Sequence, residues 1–258
     1  MENTPLWIRE RILIAERLFL FLDYDGTLAE FAPNPDIVIP DDRIIGLVSR
    51  LIKNPRIFIA IISGRRLQHI EKLVPVEGAW LAGTYGVELK KPDGKLIQRL
   101  VYDNFRPTLN RVKPEWQVLI NGRPGFYLED KGWSLAIHAK DAQHLEAENI
   151  IAKAYKIGER NIHNAQFQLL GGNKFIEISP QLIDKGETVE FILQNYPDRN
   201  LLPIYIGDDD KDEVAFRTVK RFGGITIYVT DKMDTNISDM ILGDSEEVRQ
   251  WLEDLLKI

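Results

Sequence analysis

The chain has 258 residues, of which 44% are hydrophobic and 28% are charged, a composition typical of a soluble globular protein. Its net charge of -6 offers no basic surface for nucleic acid or an anionic membrane, and the lack of cysteine excludes disulfides, thiol catalysis and cysteine-based zinc sites. The N-terminal residues are interrupted by charges, unlike a signal peptide, and no later run reaches the length of about 20 apolar residues that spans a membrane. We therefore expect a cytoplasmic protein that binds neither nucleic acid nor a membrane.

Short, continuous apolar runs predict buried strands of a parallel sheet. The runs are RLFLFL at 17–22, IFIAII at 57–62, LPIYI at 202–206 and ITIYV at 225–229. Helical patterns accompany them at 40–54, 211–222 and 243–256. This alternation favours an open, doubly wound α/β sheet, whose ligand crevice lies beyond the carboxyl ends of the strands.

The middle of the chain has a different pattern. Two segments, 126–140 and 167–180, alternate apolar and polar residues, and Gly171-Gly172-Asn173 within the second is typical of a hairpin turn. An amphipathic helix is predicted between them at 142–155. We therefore predict an α/β core at 1–97 and 181–258, interrupted by an α+β cap at 98–180.

Two acids leave the first predicted strand one residue apart. On an extended strand Asp23 and Asp25 point to the same side, because side chains repeat every two residues. The pair suits a nucleophile with a proton donor, or a site for a hard cation such as Mg²⁺, and the two roles are compatible. A surface turn is the alternative, since Asp and Gly favour turns.

Polar groups also follow the second predicted strand and the insertion. Ser63-Gly64-Arg65 combines a hydroxyl, a flexible glycine and a predicted helix N-terminus, which together form an anion cradle. Lys185 could neutralise charge that develops on a phosphate, although most lone lysines are simply solvated. A tight turn with a solvated arginine remains the alternative for the first segment.

The segment IGDDDKDEVAF at 206–216 places consecutive acids directly after the third predicted strand. The dipole of the following helix explains acids in its first turn, such as Asp212 and Glu213. It does not explain why Asp208 and Asp209 follow the strand at once. Metal binding explains these two acids better.

Together, these strand ends predict an aspartyl-phosphate phosphotransferase. Asp23 attacks phosphorus, Asp25 protonates the leaving oxygen, and Ser63 and Lys185 hold the phosphoryl oxygens. The metal ligands we predict are Asp23, the backbone carbonyl of Asp25 and Asp208, supported by Asp209 and Asp212. The further residues assigned to substrate binding are Thr27, Gly64 and Arg65.

In this order the motifs resemble those of the haloacid dehalogenase (HAD) superfamily, with DYDGT first, SGR second, Lys185 third and GDDDKDE fourth. Within it, the chain is most similar to the trehalose-6-phosphate phosphatase family, and the resemblance covers nearly the whole chain. The segments that carry it are FLDYDGTLAEFAPNPD, AIISGR, LAGTYGVEL, YLEDKGWSLAIHAK, FIEISP, DKGE and IGDDDKDEVAF. The resemblance implies a HAD-like doubly wound core with an inserted cap.

The resemblance also implies an activity, namely Mg²⁺-dependent hydrolysis of trehalose 6-phosphate in trehalose biosynthesis, with a trehalose-6-phosphate synthase as functional partner. Glu129, Lys131 and Glu177 match the family's sugar-contacting acid–lysine–acid set, which suits the hydroxyls of a disaccharide. The pattern alone equally fits outward residues on alternating strands. His138, predicted on the same strand as Lys131, is interpreted as a structural hydrogen-bonding residue.

The sequence departs from the family at three places. Thr84-Tyr85-Gly86 stands where Glu-His-Gly is common, and Lys211 where threonine is usual in the fourth motif. Lys140 stands where an arginine is often found, and a lysine lacks the bidentate fork. The departures remove no nucleophile or metal ligand, but the first two lie near the expected site and bear on the identity of the sugar.

Three other functions fit parts of the pattern. A phosphatase with the same cap could act on mannosyl-3-phosphoglycerate or sucrose 6-phosphate, because the motifs contact only the phosphate. A phospho-receiver signalling domain also combines a phospho-acceptor Asp with a Lys and acids, but it needs neither Asp25 as a proton donor nor a cap. A non-catalytic sugar-phosphate sensor is the third alternative, and the intact set of catalytic residues argues against it.

Overall fold

The computed structural model describes residues 4–31, 37–162, 166–181, 184–196, 200–231 and 238–258. Residues 32–36, which end the first family-like segment, and residues 182–183, before the third motif, lie outside the described residues. The chain separates into two units, one formed by Met1–Ile97 with Asp184–Ile258 and the other by Gln98–Ile183. Each unit is described by itself.

The bounds of the elements are as follows. The helices are α1 (Leu6–Ile14), α2 (Asp42–Lys53), α3 (Leu67–Leu73), α4 (Tyr102–Ile120), α5 (His144–Asn161), α6 (Lys185–Gln194), α7 (Glu213–Arg221) and α8 (Ser245–Leu255). The strands are β1 (Leu18–Leu22), β2 (Ile57–Ile62), β3 (Trp80–Gly83), β4 (Glu88–Lys90), β5 (Leu96–Gln98), β6 (Tyr127–Asp130), β7 (Leu135–His138), β8 (Phe167–Gly172), β9 (Phe175–Pro180), β10 (Leu202–Gly207), β11 (Ile225–Val229) and β12 (Met240–Leu242). Each predicted strand or helix overlaps an element of this set, and the segment 126–140 contains two strands, β6 and β7.

The first unit is built on a mixed, mostly parallel sheet. Over the described residues its strand order is β12-β11-β10-β1-β2-β3-β4-β5, parallel from β12 to β3, and β4 runs antiparallel to β3. In β1, Leu22 pairs with Ile206 of β10 and with Ile61 of β2. The residues that follow these three strands therefore meet at one edge of the sheet.

Both faces of this sheet are covered, which explains why its strands read as unbroken apolar runs. Leu20 and Leu22 belong to a core cluster that includes residues of α1, α2, α3 and α8. Phe19 and Phe21 belong to a second cluster that includes residues of α6 and α7. Each of these side chains is fully buried, and burial of one such side chain stabilises a fold by about 1.5–3 kcal/mol.

The second unit is an antiparallel sheet with two helices. Within the described residues the strand order is β6-β7-β9-β8, and α4 and α5 pack on each other and on the sheet. Trp116 of α4 is fully buried, and its indole nitrogen donates to the carbonyl of Ala154 in α5 at 3.1 Å. The predicted hairpin is present, but Gly172 pairs with Phe175, so the turn lies one or two residues later than expected.

One sequence expectation is wrong in this unit. Residues 126–140 were expected to form one strand, carrying both Lys131 and His138. Instead β6 and β7 form a hairpin, because Gly132 adopts a φ of 82°, which favours glycine and turns the chain. Lys131 therefore lies in the turn and His138 at the end of β7.

None of the helices formed by described residues combines the length and apolar composition that a membrane crossing requires.

Candidate active site

Asp23 lies at the carboxyl end of the central strand β1, between β10 and β2. Its backbone N–H donates to the carbonyl of Ile206 at 3.0 Å, so the pairing with β10 continues up to this residue. The residue is buried, with 5% of its surface exposed. The fold therefore fixes the backbone of Asp23 and shields its carboxylate from bulk water.

Lys185 is the first residue of α6, and its position is set by the start of that helix. Asp184 caps the helix, accepting a hydrogen bond from the backbone N–H of Glu187 at 2.8 Å. The buried ammonium of Lys185 lies 3.1 Å from Oδ1 of Asp23 and 2.7 Å from Oδ1 of Asp212. Burial disfavours the charged amine, but the surrounding carboxylates outweigh it and raise the pKa of Lys185.

Asp212 is held from all sides. Oδ1 accepts from Lys185 and from the hydroxyl of Tyr205 at 2.6 Å, while Oδ2 accepts from the backbone N–H groups of Asp208 and Asp209 at 3.0 and 3.1 Å. Because four donors bind this carboxylate, its position is fixed. Its two hydrogen bonds from the backbone N–H groups of Asp208 and Asp209 hold the loop that carries Asp208. Tyr205 was not singled out from the sequence, because a tyrosine inside an apolar strand looks like core.

Asp208 approaches Asp23 through space left by a glycine. Oδ1 of Asp208 accepts from the hydroxyl of Thr27 at 3.1 Å. Gly26 has a φ of 83°, and a Cβ added there would lie 2.2 Å from Oδ2 of Asp208. Glycine is therefore required at this position for two reasons, namely its positive φ and the close approach of the Asp208 carboxylate.

These carboxylates form a cluster that fits a hard divalent cation. Asp23, Asp208 and Asp212 each place a carboxylate oxygen within 4.8 Å of the other two. Burial raises the pKa of Asp23 well above its usual value, with the other acids adding to the rise and Lys185 opposing it. Burial, followed by the charge of Asp212, raises the pKa of Asp208 to about 6. Like charges at this density call for a cation, and oxygen donors suit a hard one.

Asp209 lies at the edge of the cluster. Burial acts to raise its pKa, but the charges of Lys185 and then Lys211 lower it below the usual value. Its Oδ1 lies 3.8 Å from the ammonium of Lys185. Asp209 therefore stays ionised more readily than Asp208, and it balances lysine charge rather than competing for a proton.

The loop after β2 carries Ser63, Gly64 and Arg65, and it connects to Asp25. Ser63 is almost fully buried, and its Oγ accepts from the backbone N–H of Arg65 at 3.1 Å. The guanidinium of Arg65 donates from Nε and Nη2 to the two carboxylate oxygens of Asp25, both at 2.7 Å. Arg65 was assigned to the substrate from sequence, and in the structure its fork is occupied by Asp25.

The two acids of the acid–lysine–acid set lie on one line across the sheet of the second unit, and Lys131 lies in the β6–β7 turn. Glu129 of β6 pairs with Ala136 of β7, and Ala136 pairs with Glu177 of β9, so the two acids flank β7 on one face of the sheet. Glu177 Oε1 accepts from Lys131 at 3.1 Å and from the hydroxyl of Ser134 at 2.7 Å. Glu129, Lys131 and Glu177 are buried rather than outward and solvated.

His138 is a partner of this set, as expected of a structural hydrogen-bonding residue. Its Nε2 lies 3.0 Å from Oε2 of Glu129. Burial would raise the pKa of Glu129, but the hydrogen bond to His138 and the charge of Lys131 lower it. Lys140, which the resemblance places at an arginine position, is exposed after β7.

Solved structures share this fold. The C-terminal domain of a trehalose-6-phosphate phosphatase from C. albicans superposes with a TM-score of 0.85 at 20% identity, covering 98% of this chain and 96% of that chain. A haloacid dehalogenase-like hydrolase from Bacteroides thetaiotaomicron gives a TM-score of 0.65 at 15% identity, covering 93% of this chain and all of the other. At these identities the likeness shows the fold alone, which is the HAD-like α/β fold predicted from the motifs.

Sequence comparison then defines the family. A family model described as trehalose-phosphatase matches residues 21–240, and the chain belongs to this family of the HAD superfamily. A trehalose-phosphate phosphatase from Mycobacterium ulcerans (strain Agy99) is 31% identical over 226 residues, covering 86% of this chain and 56% of the relative. The chain thus spans somewhat more than half the length of this relative. The family resemblance inferred from the motifs is confirmed.

Proposed function

We propose that the chain is a phosphatase that hydrolyses trehalose 6-phosphate to trehalose and inorganic phosphate. The observation that carries the proposal is the buried Asp23 with Lys185 at 3.1 Å and two further acids beside it, in a member of the trehalose-phosphatase family. A carboxylate at a strand end, next to a fixed cation, is suited to attack phosphorus and to stabilise the charge that develops.

The first half-reaction transfers the phosphoryl group to the protein. A carboxylate oxygen of Asp23 attacks phosphorus, and the bond from phosphorus to the sugar oxygen breaks. Asp25 gives its proton to that leaving oxygen, so the sugar departs as an alcohol. Ser63 and Lys185 hold the phosphoryl oxygens, supported by the backbone around Gly64.

The second half-reaction regenerates the nucleophile. Water attacks phosphorus, the bond from phosphorus to the oxygen of Asp23 breaks, and Asp25 takes the proton from the water. Arg65 donates one hydrogen bond to each oxygen of Asp25, which leaves a lone pair on each oxygen to carry the proton. We therefore expect Arg65 to hold Asp25 in place rather than to bind substrate alone.

We propose Mg²⁺ as the cation, held by Asp23, the backbone carbonyl of Asp25 and Asp208, with Asp209 and Asp212 in support. When bound, Mg²⁺ neutralises charge on the phosphate oxygens and on the acids. Asp212 already receives four hydrogen bonds, which suits a supporting role. Thr27 orients Asp208 through its hydroxyl.

The sugar is proposed to bind to the acid–lysine–acid set of the second unit. Glu129 and Glu177 offer carboxylate acceptors for hydroxyl groups, and Lys131 offers a donor. Their partners Ser134 and His138 hold the acids in position before substrate arrives. A trehalose-6-phosphate synthase would supply the substrate, and we propose that the protein acts in the cytoplasm.

The test is release of inorganic phosphate, with Mg²⁺, from a panel of trehalose 6-phosphate, sucrose 6-phosphate, mannosyl-3-phosphoglycerate and glucose 6-phosphate. We expect trehalose 6-phosphate to be turned over at least about tenfold faster than the others, since a few lost hydrogen bonds cost this much. Comparable rates across the panel would contradict the substrate assignment. Activity that survives Asp23→Asn would contradict the mechanism, with the exposed Asp93→Asn as control.

A further inference from the structure

The turn that follows β3 has a strained backbone. Thr84 and Tyr85 have φ values of 48° and 60°, and among the described residues they are the non-glycine residues with positive φ. The left-handed region disfavours side chains with a Cβ, and such residues persist only where their surroundings hold them. Strain of this kind clusters at functional sites, so the contacts of the turn are informative.

The turn is held against the loop after β2 and against α6. The backbone N–H of Tyr85 donates to the carbonyl of Ser63 at 2.9 Å, and the carbonyl of Tyr85 accepts from the hydroxyl of Thr188 at 2.6 Å. The Tyr85 ring covers Gly64, where an added Cβ would lie 2.9 Å from the ring edge and the hydroxyl. The strained turn therefore aims a tyrosine hydroxyl over the Ser63–Gly64 loop.

A lysine from another strand end binds that hydroxyl. Nζ of Lys211 donates to the Tyr85 hydroxyl at 2.9 Å. Lys211 follows β10 and Tyr85 follows β3, and β1 and β2 lie between these strands in the sheet. The hydrogen bond thus bridges the edge of the sheet across the two strands that deliver Asp23 and Ser63.

Charges alternate outward from the nucleophile to this bridge. Lys185 lies 3.1 Å from Asp23 and 3.8 Å from Asp209, and the backbone N–H of Lys211 donates to the carboxylate of Asp209 at 3.0 Å. Lys185 is the cation next to the attacking oxygen, and Lys211 lies one acid further out. The charge of Lys211 lowers the pKa of Asp209, after that of Lys185, so the Lys211 ammonium acts on the edge of the acidic cluster.

We propose that Lys211, positioned by Tyr85, is a specificity-determining residue that donates to hydroxyl oxygens of the phosphorylated sugar. This proposal rests on the proposed phosphatase function. The structure joins the two side chains in one hydrogen bond, so Tyr85 and Lys211 form a single unit. In this proposal, the unit supplies a cation to the sugar that leaves.

The experiment compares two substrates that share the phosphoryl group and differ in the leaving group, namely trehalose 6-phosphate and p-nitrophenyl phosphate. The variants are Lys211→Thr, Lys211→Arg, Tyr85→Phe and the double variant Lys211→Thr with Tyr85→Phe. The matched control is Lys220→Thr, which removes a lysine from the far end of α7, where it pairs with Asp239 at 3.5 Å. Thermal unfolding of each variant reports whether the fold is retained.

We expect Lys211→Thr to raise KM for trehalose 6-phosphate about tenfold, the usual effect of losing a charged hydrogen bond, with less than about a threefold change in kcat/KM for p-nitrophenyl phosphate. Tyr85→Phe should raise this KM less than Lys211→Thr does, and the double variant should raise it no more than Lys211→Thr. Lys211→Arg keeps the positive charge, so its KM should lie between those of the parent and Lys211→Thr. Equal losses on both substrates, or no change on either, would overturn the proposal, as would an equal effect of Lys220→Thr.

The failure of the proposed function gives a different result. If the unaltered protein hydrolyses p-nitrophenyl phosphate and another sugar phosphate but not trehalose 6-phosphate, the substrate assignment fails. The same variants are then compared on the sugar phosphate that is turned over, and a selective rise in its KM still supports the role of Lys211. An unselective effect there overturns it.

Discussion

Two aspartates only four positions apart have opposite surroundings in this protein. Asp212 is buried with four hydrogen-bond donors around it, whereas Asp208 receives a hydroxyl from Thr27 and otherwise faces its acidic neighbours. Removing charge from the first breaks a buried ion pair, and removing it from the second relieves repulsion. The two substitutions should therefore separate structure from metal binding.

We expect Asp208→Asn to retain the stability of the metal-free protein and to lose the stabilisation that Mg²⁺ provides. For a ligand at one hundred times its Kd, that stabilisation is about 2.7 kcal/mol. Asp212→Asn should instead lower the free energy of unfolding by about 3 kcal/mol or more with or without Mg²⁺, because Lys185 loses its closest partner. Urea unfolding with and without Mg²⁺ measures both, and a full Mg²⁺ effect in Asp208→Asn would contradict the site.

Substitution of Gly26 tests the close approach of the Asp208 carboxylate to the backbone of Gly26. Gly26→Ala should abolish phosphate release, because the new Cβ would lie 2.2 Å from a carboxylate oxygen of Asp208. Gly94 has almost the same φ, at 82°, but open space around it, so Gly94→Ala introduces the backbone strain of about 1 kcal/mol without the clash. Phosphate release by the two variants should differ by at least about a hundredfold if the approach of Asp208 matters, since misplacement of a catalytic group by 1 Å costs this much. Equal losses would attribute the effect to strain.

The sequence predicted where the site residues lie along the chain better than it predicted which side chains they contact. Asp23, Ser63, Lys185 and Asp208 could be placed because each follows an apolar run or the insertion. Their partners could not be read, since the bond between Tyr205 and Asp212 and the pairing of Arg65 with Asp25 depend on backbone turns and side-chain directions. The contact between Tyr85 and Lys211 additionally depends on which strands lie side by side.

At the level of elements, α4 was not predicted and its signal was present. Pro107 and Pro114 lie inside it, and proline argues against a helix interior. The buried residues nevertheless recur at helical spacing, as Phe105, Leu109, Val112 and Trp116. Packing of that stripe outweighs the lost hydrogen bonds. The strand order of the first unit, with β10 beside β1, could not be obtained from the runs because the segments are far apart in the chain.

Asp130 ties α4 to the β6–β7 turn. It accepts two hydrogen bonds from Arg106 at 2.7 Å, one from Lys113 at 2.8 Å and one from the backbone of Gly132 at 2.9 Å. Burial acts to raise its pKa, but these donors, led by Arg106, lower it far below the usual value of 3.8. A lowered folded-state pKa stabilises the protein above 3.8, and this stabilisation is lost as the pH falls below that value.

We therefore expect Asp130→Asn to lower the free energy of unfolding at neutral pH by about 2 kcal/mol, the range for hydrogen bonds to charged groups. As the pH is lowered below about 4, the variant should also lose less stability than the parent. Chemical unfolding across this range measures both effects, and Asp93→Asn, at an exposed carboxylate, is the control. A parallel loss of stability in parent and variant on acidification would contradict the assignment.

Each of the two units has its own buried core and its own ionic groups. The proposed Mg²⁺ site belongs to the unit that contains β1, and Asp130 belongs to the other. Proteins with two such units often depart from two-state unfolding. Perturbations can therefore be assigned to one unit or the other.

We expect calorimetry to resolve two transitions that respond separately. Mg²⁺ should raise one of them, and Leu22→Ala, which removes a fully buried side chain at a cost of about 2–5 kcal/mol, should lower the same one. Asp130→Asn should lower the other. If all three changes moved a single transition together, the units would unfold as one.

The division of the first unit into two chain segments determines when the candidate active site can form during synthesis. Leu18 of β1 pairs with Leu202 of β10, and Lys185, Asp208 and Asp212 all come from the second segment. A growing chain therefore carries Asp23 out of the ribosome long before its cationic partner or the other acids exist, and the residues of the second unit are complete first. Because pairings so distant in sequence form slowly, β1 must wait with one edge unpaired. In chain order, Asp23 precedes the second unit, and the residues that complete its carboxylate cluster follow that unit.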